Sequence, residues 1–192
     1  MRISIITATY NSEKTLHDTL LSLENQTYPD IEYIIIDGAS KDNTLLVVQN
    51  NCTRVSKIIC EPDKGIYDAL NKGIKAATGD VIGFLHSDDL LALDNAIADI
   101  VDTFQEKGCD AVYGDLEYVS QTDTAKRVRL WKSVAFSRTK MQLGWMPPHP
   151  SFYMKRARYL ELGHFSLNYN ISADYDSLLR YILKNKIAVA YL

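Results

Sequence analysis

VIGFLHSDD, residues 81–89, is the stretch whose reading decides the fold. Its first six residues form the near-continuous apolar run of a strand buried on both faces, the pattern of parallel sheets. The run then ends in a serine and two adjacent aspartates, Asp88 and Asp89. Neighbouring carboxylates repel each other and resist losing water, so their place at a strand end needs a chemical reason. A divalent cation removes both penalties. Mg2+ or Mn2+ takes one or two protein carboxylates and completes its shell with substrate phosphates and water. On this reading Asp88 is the metal ligand and the ligand is a diphosphate. Asp89 either binds through water or caps a helix beginning near Leu91.

Working outward, the first half of the chain alternates strand and helix signals. Ile3 to Ala8, Ile31 to Asp37, Val55 to Cys60 and Val81 to Leu85 read as strands. Between them lie a helix capped by Ser12 with Leu16, Leu20 and Leu23 on one face, a short helix at 42–51, and an amphipathic helix at 66–77 with Ile66, Ala69, Leu70, Ile74 and Ala77 aligned. A further helix follows with Leu93, Ile97, Ile100 and Phe104 inward. This alternation predicts an α/β fold, a mostly parallel central sheet with helices on both faces. In the second half, AVYGDLEYVS and KRVRLWK flank a polar QTDT turn and predict a hairpin. LGWMPPHPSF reads as an irregular loop, Arg156 to Leu162 as a short helix, Asp174 to Asn185 as an amphipathic helix, and KIAVAYL as a strand. The expectation is one domain over 1–192, with C-terminal elements beyond the last strand.

Bulk properties narrow the classes of function. The 192 residues are 46% hydrophobic and 23% charged, an ordinary globular balance, and the formal net charge of −3 argues against a nucleic-acid partner. Cys52, Cys60 and Cys109 are odd in number and form no CxxC, so neither a disulfide framework nor a zinc site is indicated. The N-terminus lacks the apolar core of a signal peptide and no stretch approaches the ~20 apolar residues of a membrane span. A cytoplasmic location is expected.

Three acidic groups fall where predicted parallel strands finish: Asp37, Asp63 shortly after the third strand, and Asp88 with Asp89. Ligands of open α/β sheets bind outside the carboxyl ends of strands, so these side chains are expected to converge. The competing reading is that each begins a turn or caps a helix, as Asp commonly does. Neither GxxxxGK[ST] nor GxGxxG occurs, which leaves phosphate recognition to the metal.

Three blocks, SIITATYNSEKTLHDTLLSLENQTYPDIEYIIIDGASKDNT, EPDKGIYDALNKGIKAATGDVIGFLHSDD and PPHPSFYMKRARYLELGHF…ISADYDSLLR, occur in that order. Together they resemble the family 2 glycosyltransferases, nucleotide-sugar-dependent enzymes of the GT-A fold. The resemblance implies a nucleotide-sugar-binding half at 1–110 and an acceptor-binding half at 111–192. It implies that Thr7 and Tyr10 lie near the nucleotide base, and that Asp37 and Asp63 contact base and ribose. Asp88 matches the second acid of the family's metal-binding DxD, which reads His86-Ser87-Asp88 here. Asp174 matches the catalytic base, in an Ala173-Asp174 pair where the family often has Glu-Asp. The implied reaction is inverting transfer from a UDP- or dTDP-type sugar to a glycan or lipid-linked hydroxyl, with Mg2+ or Mn2+ at the diphosphate. Peripheral association with the inner membrane face follows from a lipid-linked acceptor.

Other residues carry two readings each. Lys64 reaches the phosphates or is a solvated lysine. His149, between prolines, touches phosphate, metal or acceptor, or makes a loop hydrogen bond. Tyr67 and Asn71 share one helix face, facing the pocket or solvent. Trp131 and Trp145 stack on sugars or pack. Asp174 stands near a helix start, where the dipole favours a carboxylate in any case. The alternatives to a transferase are a non-catalytic nucleotide-sugar-binding domain and a sugar nucleotidyltransferase, although ITATYNSEK lacks the Gly-rich basic loop of the latter.

Overall fold

A computed structural model describes residues 1–192. The first half follows the predicted alternation: β1 (Ile3–Thr9), α1 (Leu16–Glu24), β2 (Ile31–Asp37), α2 (Thr44–Asn51), β3 (Val55–Cys60), α3 (Ile66–Ala76), β4 (Val81–Phe84) and α4 (Ala96–Lys107). The second half adds β5 (Ala111–Tyr113), β6 (Leu116–Ser120), β7 (Asp123–Trp131), α5 (Arg138–Gln142), β8 (Tyr153–Lys155), α6 (Arg156–Leu162), α7 (Ala173–Leu178) and β9 (Val189–Tyr191).

The central sheet has seven strands in the order β3-β2-β1-β4-β8-β5-β9, and β6 pairs only with β7. Strands β1 to β4 are mutually parallel, β8 runs antiparallel to both β4 and β5, and β9 is parallel to β5. Reversing direction twice leaves β5 pointing the same way as β4. The carboxyl ends of β1, β2, β4 and β5 therefore share one rim.

The period-two alternation of strands sorts side chains into two cores. Ile3, Ile5, Tyr33, Ile35 and Val81 face α1 and α4 through Leu16, Leu20, Leu23, Ile97, Val101 and Phe104. Ile6, Ala8, Ile34, Ile36, Ile82 and Phe84 face α3 and the second half through Leu70, Ile74, Met154, Tyr159 and Tyr181. Gly73 lets α3 lie against β1, since a Cβ there would run into the Ile6 side chain. Gly83 does the same for the Tyr153 ring, which crosses the sheet at β4.

Several sequence expectations are corrected. The stretch AVYGDLEYVS is not one strand: it breaks at Gly114, so AVY joins the main sheet and only LEYVS enters the hairpin, whose turn shortens to Gln121-Thr122. The proline-rich loop delivers a 3-10 turn at His149–Ser151 and then β8. Helix α4 starts at Ala96, so Asp89 does not cap it, and Leu93 lies before it at 59% exposure. Ile66 is exposed as well. Ser12 is not the side-chain cap of α1, which follows Thr15; its carbonyl accepts from the N–H groups of Thr15 and Leu16. The last helix is α7 followed by a π-helical stretch, Leu179–Lys184.

The close approach at Gly83 yields a direct expectation. Gly83→Ala drives a methyl into the buried Tyr153 ring and should lower stability by about 1–3 kcal/mol, the usual cost of overpacking, as measured by urea unfolding. Unchanged stability would mean that Tyr153 does not cross the sheet at this point.

Candidate active site

The rim forms where the strand order reverses. From β1 the chain steps outward to β2 and β3 and later returns to place β4 on the other side, which makes the β1/β4 gap the switch point where such sheets bind ligands. The two loops meet there: the Ser12 hydroxyl donates to Ser87 Oγ at 3.2 Å. On the β2 side, Asn11 N–H donates to Ser40 Oγ at 2.9 Å, and Lys41 N–H donates to Asn11 Oδ1 at 2.9 Å. The 10–12, 37–41 and 86–89 loops are therefore one hydrogen-bonded rim.

Two of the four non-glycine residues with positive φ, Asn11 (51°) and Ala39 (63°), lie in this rim, and a third, Ser172 (68°), precedes the helix that carries Asp174. Such conformations cost free energy and tend to collect at functional sites. Gly38 adds a close approach. A Cβ there would stand 2.6 Å from Asp63 Oδ2 and 3.3 Å from the Tyr10 ring, so Tyr10 and Asp63 meet over a bare backbone. Tyr10 is 59% exposed and presents its ring to solvent. Asp63 Oδ1 accepts from Gly65 N–H at 2.9 Å.

Asp37 is fully buried at the end of β2. Its carboxylate accepts from the Ser40 N–H at 2.9 Å, the Ser40 hydroxyl at 2.5 Å and the Cys60 thiol at 3.1 Å. It organises the turn of the rim, and a nucleotide would have to share it with those donors. Thr7 is corrected more firmly. It is wholly buried, its hydroxyl donates to Leu85 O at 2.6 Å and lies 2.9 Å from Tyr33 Oη, and it belongs to the floor of the sheet. Lys64 is exposed and only its backbone N–H is engaged, by Asp68.

At the end of β4, Asp89 N–H donates to His86 O at 3.0 Å, closing a turn that turns Asp88 out to solvent and leaves Asp89 half-buried. Burial pushes the Asp89 carboxyl above its usual range; the Asp88 charge adds to that push and His86 opposes it. The two acids of the opening motif thus hold different environments, Asp88 in solvent and Asp89 half-buried with its charge disfavoured.

The second half closes over the opposite side. The His149 ring lies 5.9 Å from His86, 6.1 Å from Phe84 and 6.0 Å from Phe165. Its Nε2 is buried with no hydrogen-bond partner. Burial lowers its pKa to about 4, with the Asp174 charge pulling upward and His86 downward. Asp174 and the His86 turn therefore act on one imidazole from two elements. Tyr67, from α3, donates its hydroxyl to Asp174 Oδ1 at 3.0 Å. Burial, then the Asp174 charge, raise the Tyr67 phenol above its ordinary value.

Asn71, one turn along the same helix, does not line a pocket. Its Nδ2 donates to Phe165 O at 2.9 Å and its Oδ1 accepts from Phe165 N–H at 3.0 Å, so it clamps the loop ahead of α7. Sequence reasoning also missed Phe84 and Phe165, whose rings, 5.5 Å apart, form the wall between Tyr67 and His149. Their apolar character signalled only core. Trp145 packs edge-on against Tyr113, a packing role.

Residues 4–168 match the family described as glycosyl transferase family 2. The chain belongs to that family. This family 2 glycosyltransferase domain is 30% identical over 180 residues to an uncharacterized glycosyltransferase of Mycobacterium tuberculosis, covering 93% of the chain and 68% of the relative. It is 29% identical to a PGL/p-HBAD biosynthesis glycosyltransferase of Mycobacterium bovis, covering 98% and 73%. Among solved structures, TarS residues 1–349 of S. aureus in complex with UDP superposes with a TM-score of 0.79 at 22% identity, covering all of this chain and 58% of that one. A Pyrobaculum calidifontis mannosyltransferase in complex with GDP-Man and Mn2+ gives 0.74 at 19%, covering all of this chain and 54% of that one. The fold is GT-A, and the chain spans little more than half of these solved chains.

Family 2 enzymes of this fold commonly use divalent metals. The chain offers no ready-made group of three or more His, Cys, Asp or Glu side chains that could cage one. What it offers at the strand end is the exposed Asp88 carboxylate. That donor suits a cation of the Mg2+ or Mn2+ kind, which needs few protein ligands when substrate phosphates supply the rest.

The buried imidazole predicts a pH effect with a defined sign. His149 titrates near 4 folded and near 6.5 unfolded, so between these values the unfolded chain binds more protons. Its contribution to stability is complete above about pH 6.5 and is lost as pH falls through 4. His149→Phe removes the titration while keeping an aromatic ring, and should flatten the fall in stability between pH 6.5 and 4.5 measured by chemical unfolding. Parallel profiles would place the His149 ring in solvent.

Proposed function

We propose that this domain transfers a sugar, with inversion at the anomeric carbon, from a nucleoside diphosphate to a hydroxyl acceptor, with Asp174 as the general base. The observation that carries the reading is that His86 of the strand-end turn and Asp174 both act on the buried His149, the His86 ring standing 5.9 Å from it. The first-half rim supplies the donor side. Tyr10 lies against the nucleotide base, Asp63 meets the ribose, and Asp37 holds the turn between them. Asp88 would hold the divalent ion, which as a Lewis acid stabilises charge on the departing diphosphate. The second half supplies the acceptor side.

The chemistry requires the acceptor hydroxyl to lose its proton as the new bond forms, because a neutral hydroxyl is a weak nucleophile. Asp174 is suited to receive it. One of its oxygens is oriented by the Tyr67 hydroxyl, leaving the other to accept the proton. The wall of Phe84 and Phe165 limits water beside the reacting centre, which favours transfer over hydrolysis. UDP- or dTDP-linked sugars are the proposed donors. The UDP complex of TarS and the PGL biosynthesis name of the mycobacterial relative support a nucleotide-sugar donor and a glycan or lipid-linked acceptor respectively. No helix is long and apolar enough to cross a membrane.

Two measurements test this. Asp174→Asn should retain binding of UDP within about twofold and lose transfer from a panel of UDP- and dTDP-sugars by about 10²–10⁴-fold, the span of a positioned base; equal turnover in both proteins removes Asp174 from the mechanism. Tyr10→Ala should weaken UDP binding about tenfold by titration calorimetry, as expected for a lost stacking platform, with the unfolding midpoint nearly unchanged because the ring is exposed. Undiminished affinity would put the base elsewhere.

A further inference from the structure

Arg180 lies in the π-helical stretch that continues α7, six residues beyond Asp174, and reaches back across the fold. Its Nη1 donates to Leu162 O at 2.6 Å and to Gly163 O at 3.1 Å, and its Nη2 donates to His164 O at 2.8 Å. Those carbonyls end α6 and begin the loop after it. The last carbonyls of a helix have no intrahelical partner, and a cation there is favoured by the dipole. The next residue acts on the same turn: the Tyr181 hydroxyl donates to Gly163 O at 2.6 Å. The guanidinium sits 4.8 Å over the Tyr181 ring and 3.6 Å from Asp176 Oδ2. A planar fork can serve several carbonyls at once, which an ammonium on a flexible stem does poorly.

The turn held by Arg180 is held from the other side as well. Phe165 follows directly and is clamped by Asn71 of α3, the helix that also carries Tyr67. The Phe165 ring in turn stands 5.6 Å from the Tyr67 ring. The 162–165 segment is thus a joint between the helix bearing Tyr67 and the helix bearing Asp174. Helix α7 has only six residues and follows Ser172, which adopts a positive φ; its buried Ala173, Ser177 and Leu178 seat it on the core, and Arg180 ties its continuation to the turn after α6. The π-helical insertion provides the turn that lets Arg180 and Tyr181 address the same carbonyls, as Asn185 N–H bonding back to Arg180 O at 3.1 Å records.

We propose that Arg180 is the positioning residue of this site: by binding the carbonyls of residues 162–164 it fixes the setting of α7 and so holds the Asp174 carboxylate against Tyr67. Arg180 touches no reacting atom, and its catalytic importance rests on the transfer reading above, whereas the geometric claim does not.

The test reads the Asp174–Tyr67 contact directly. The Tyr67 phenol is titrated by carbon NMR of the labelled ring in wild type, Arg180→Lys, Tyr181→Phe and Asp174→Asn. Asp174→Asn marks where Tyr67 titrates without the neighbouring charge. Arg180→Lys should shift the Tyr67 midpoint down by about 0.5 or more toward that mark, since loss of a contacting charge is of that order, and Tyr181→Phe should shift it in the same direction by less. A Tyr67 midpoint equal to wild type in Arg180→Lys overturns the proposal, even if the variant is less stable. If Arg180→Lys does not fold, Tyr181→Phe decides by the same criterion. Transfer unaffected by Asp174→Asn would sink the general-base assignment, while the Tyr67 titration alone decides whether Arg180 sets the position of Asp174.

Discussion

The contact of Phe84 with rings from the second half joins the two parts of the chain. Phe84 is the last residue of β4 and sits within 6.1 Å of His149, 6.1 Å of Tyr159 and 5.5 Å of Phe165. One residue beyond it the strand turns toward the acidic motif. Burial of Phe84 therefore fixes two things together: the height at which Asp88 leaves the sheet, and the surface on which the loops of the second half settle. Phe165 packs on Phe84 and on Tyr67, whose hydroxyl donates to Asp174.

Much of this was legible from the sequence because parallel strands and amphipathic helices write long, regular signals. The strands of the first half and the inward leucines of α1 and α3 fall where the periodicity places them, and the acidic residues Asp37, Asp63 and Asp88 fall at their ends. What escaped were features determined by distant partners. Strand β8 has three residues, too few for a period to register, and its place between β4 and β5 is set by tertiary pairing. The break at Gly114 separates a strand of the main sheet from a hairpin that looked continuous with it.

Polar residues misled for a related reason. Thr7 sits in a family block at a strand end and invited a ligand role, but the carbonyl that satisfies it belongs to Leu85, 78 positions away. Asn71 shares a helix face with Tyr67, yet its amide is spent on a backbone 94 positions distant. A buried polar group must find a partner, and sequence spacing does not disclose where that partner is. His149 illustrates the converse: its loop context suggested an ordinary hydrogen bond, while its Nε2 is buried without one.

The β6–β7 hairpin is bonded only to itself. Most of its residues are open to solvent, Val128 and Leu130 among them. It leaves the main sheet at Gly114, on the rim where β4 also ends. Substitutions along it disturb neither hydrophobic layer, so their cost in folding free energy is confined to the ribbon. A lineage can therefore vary this projection while inheriting the sheet and its acidic strand ends unchanged.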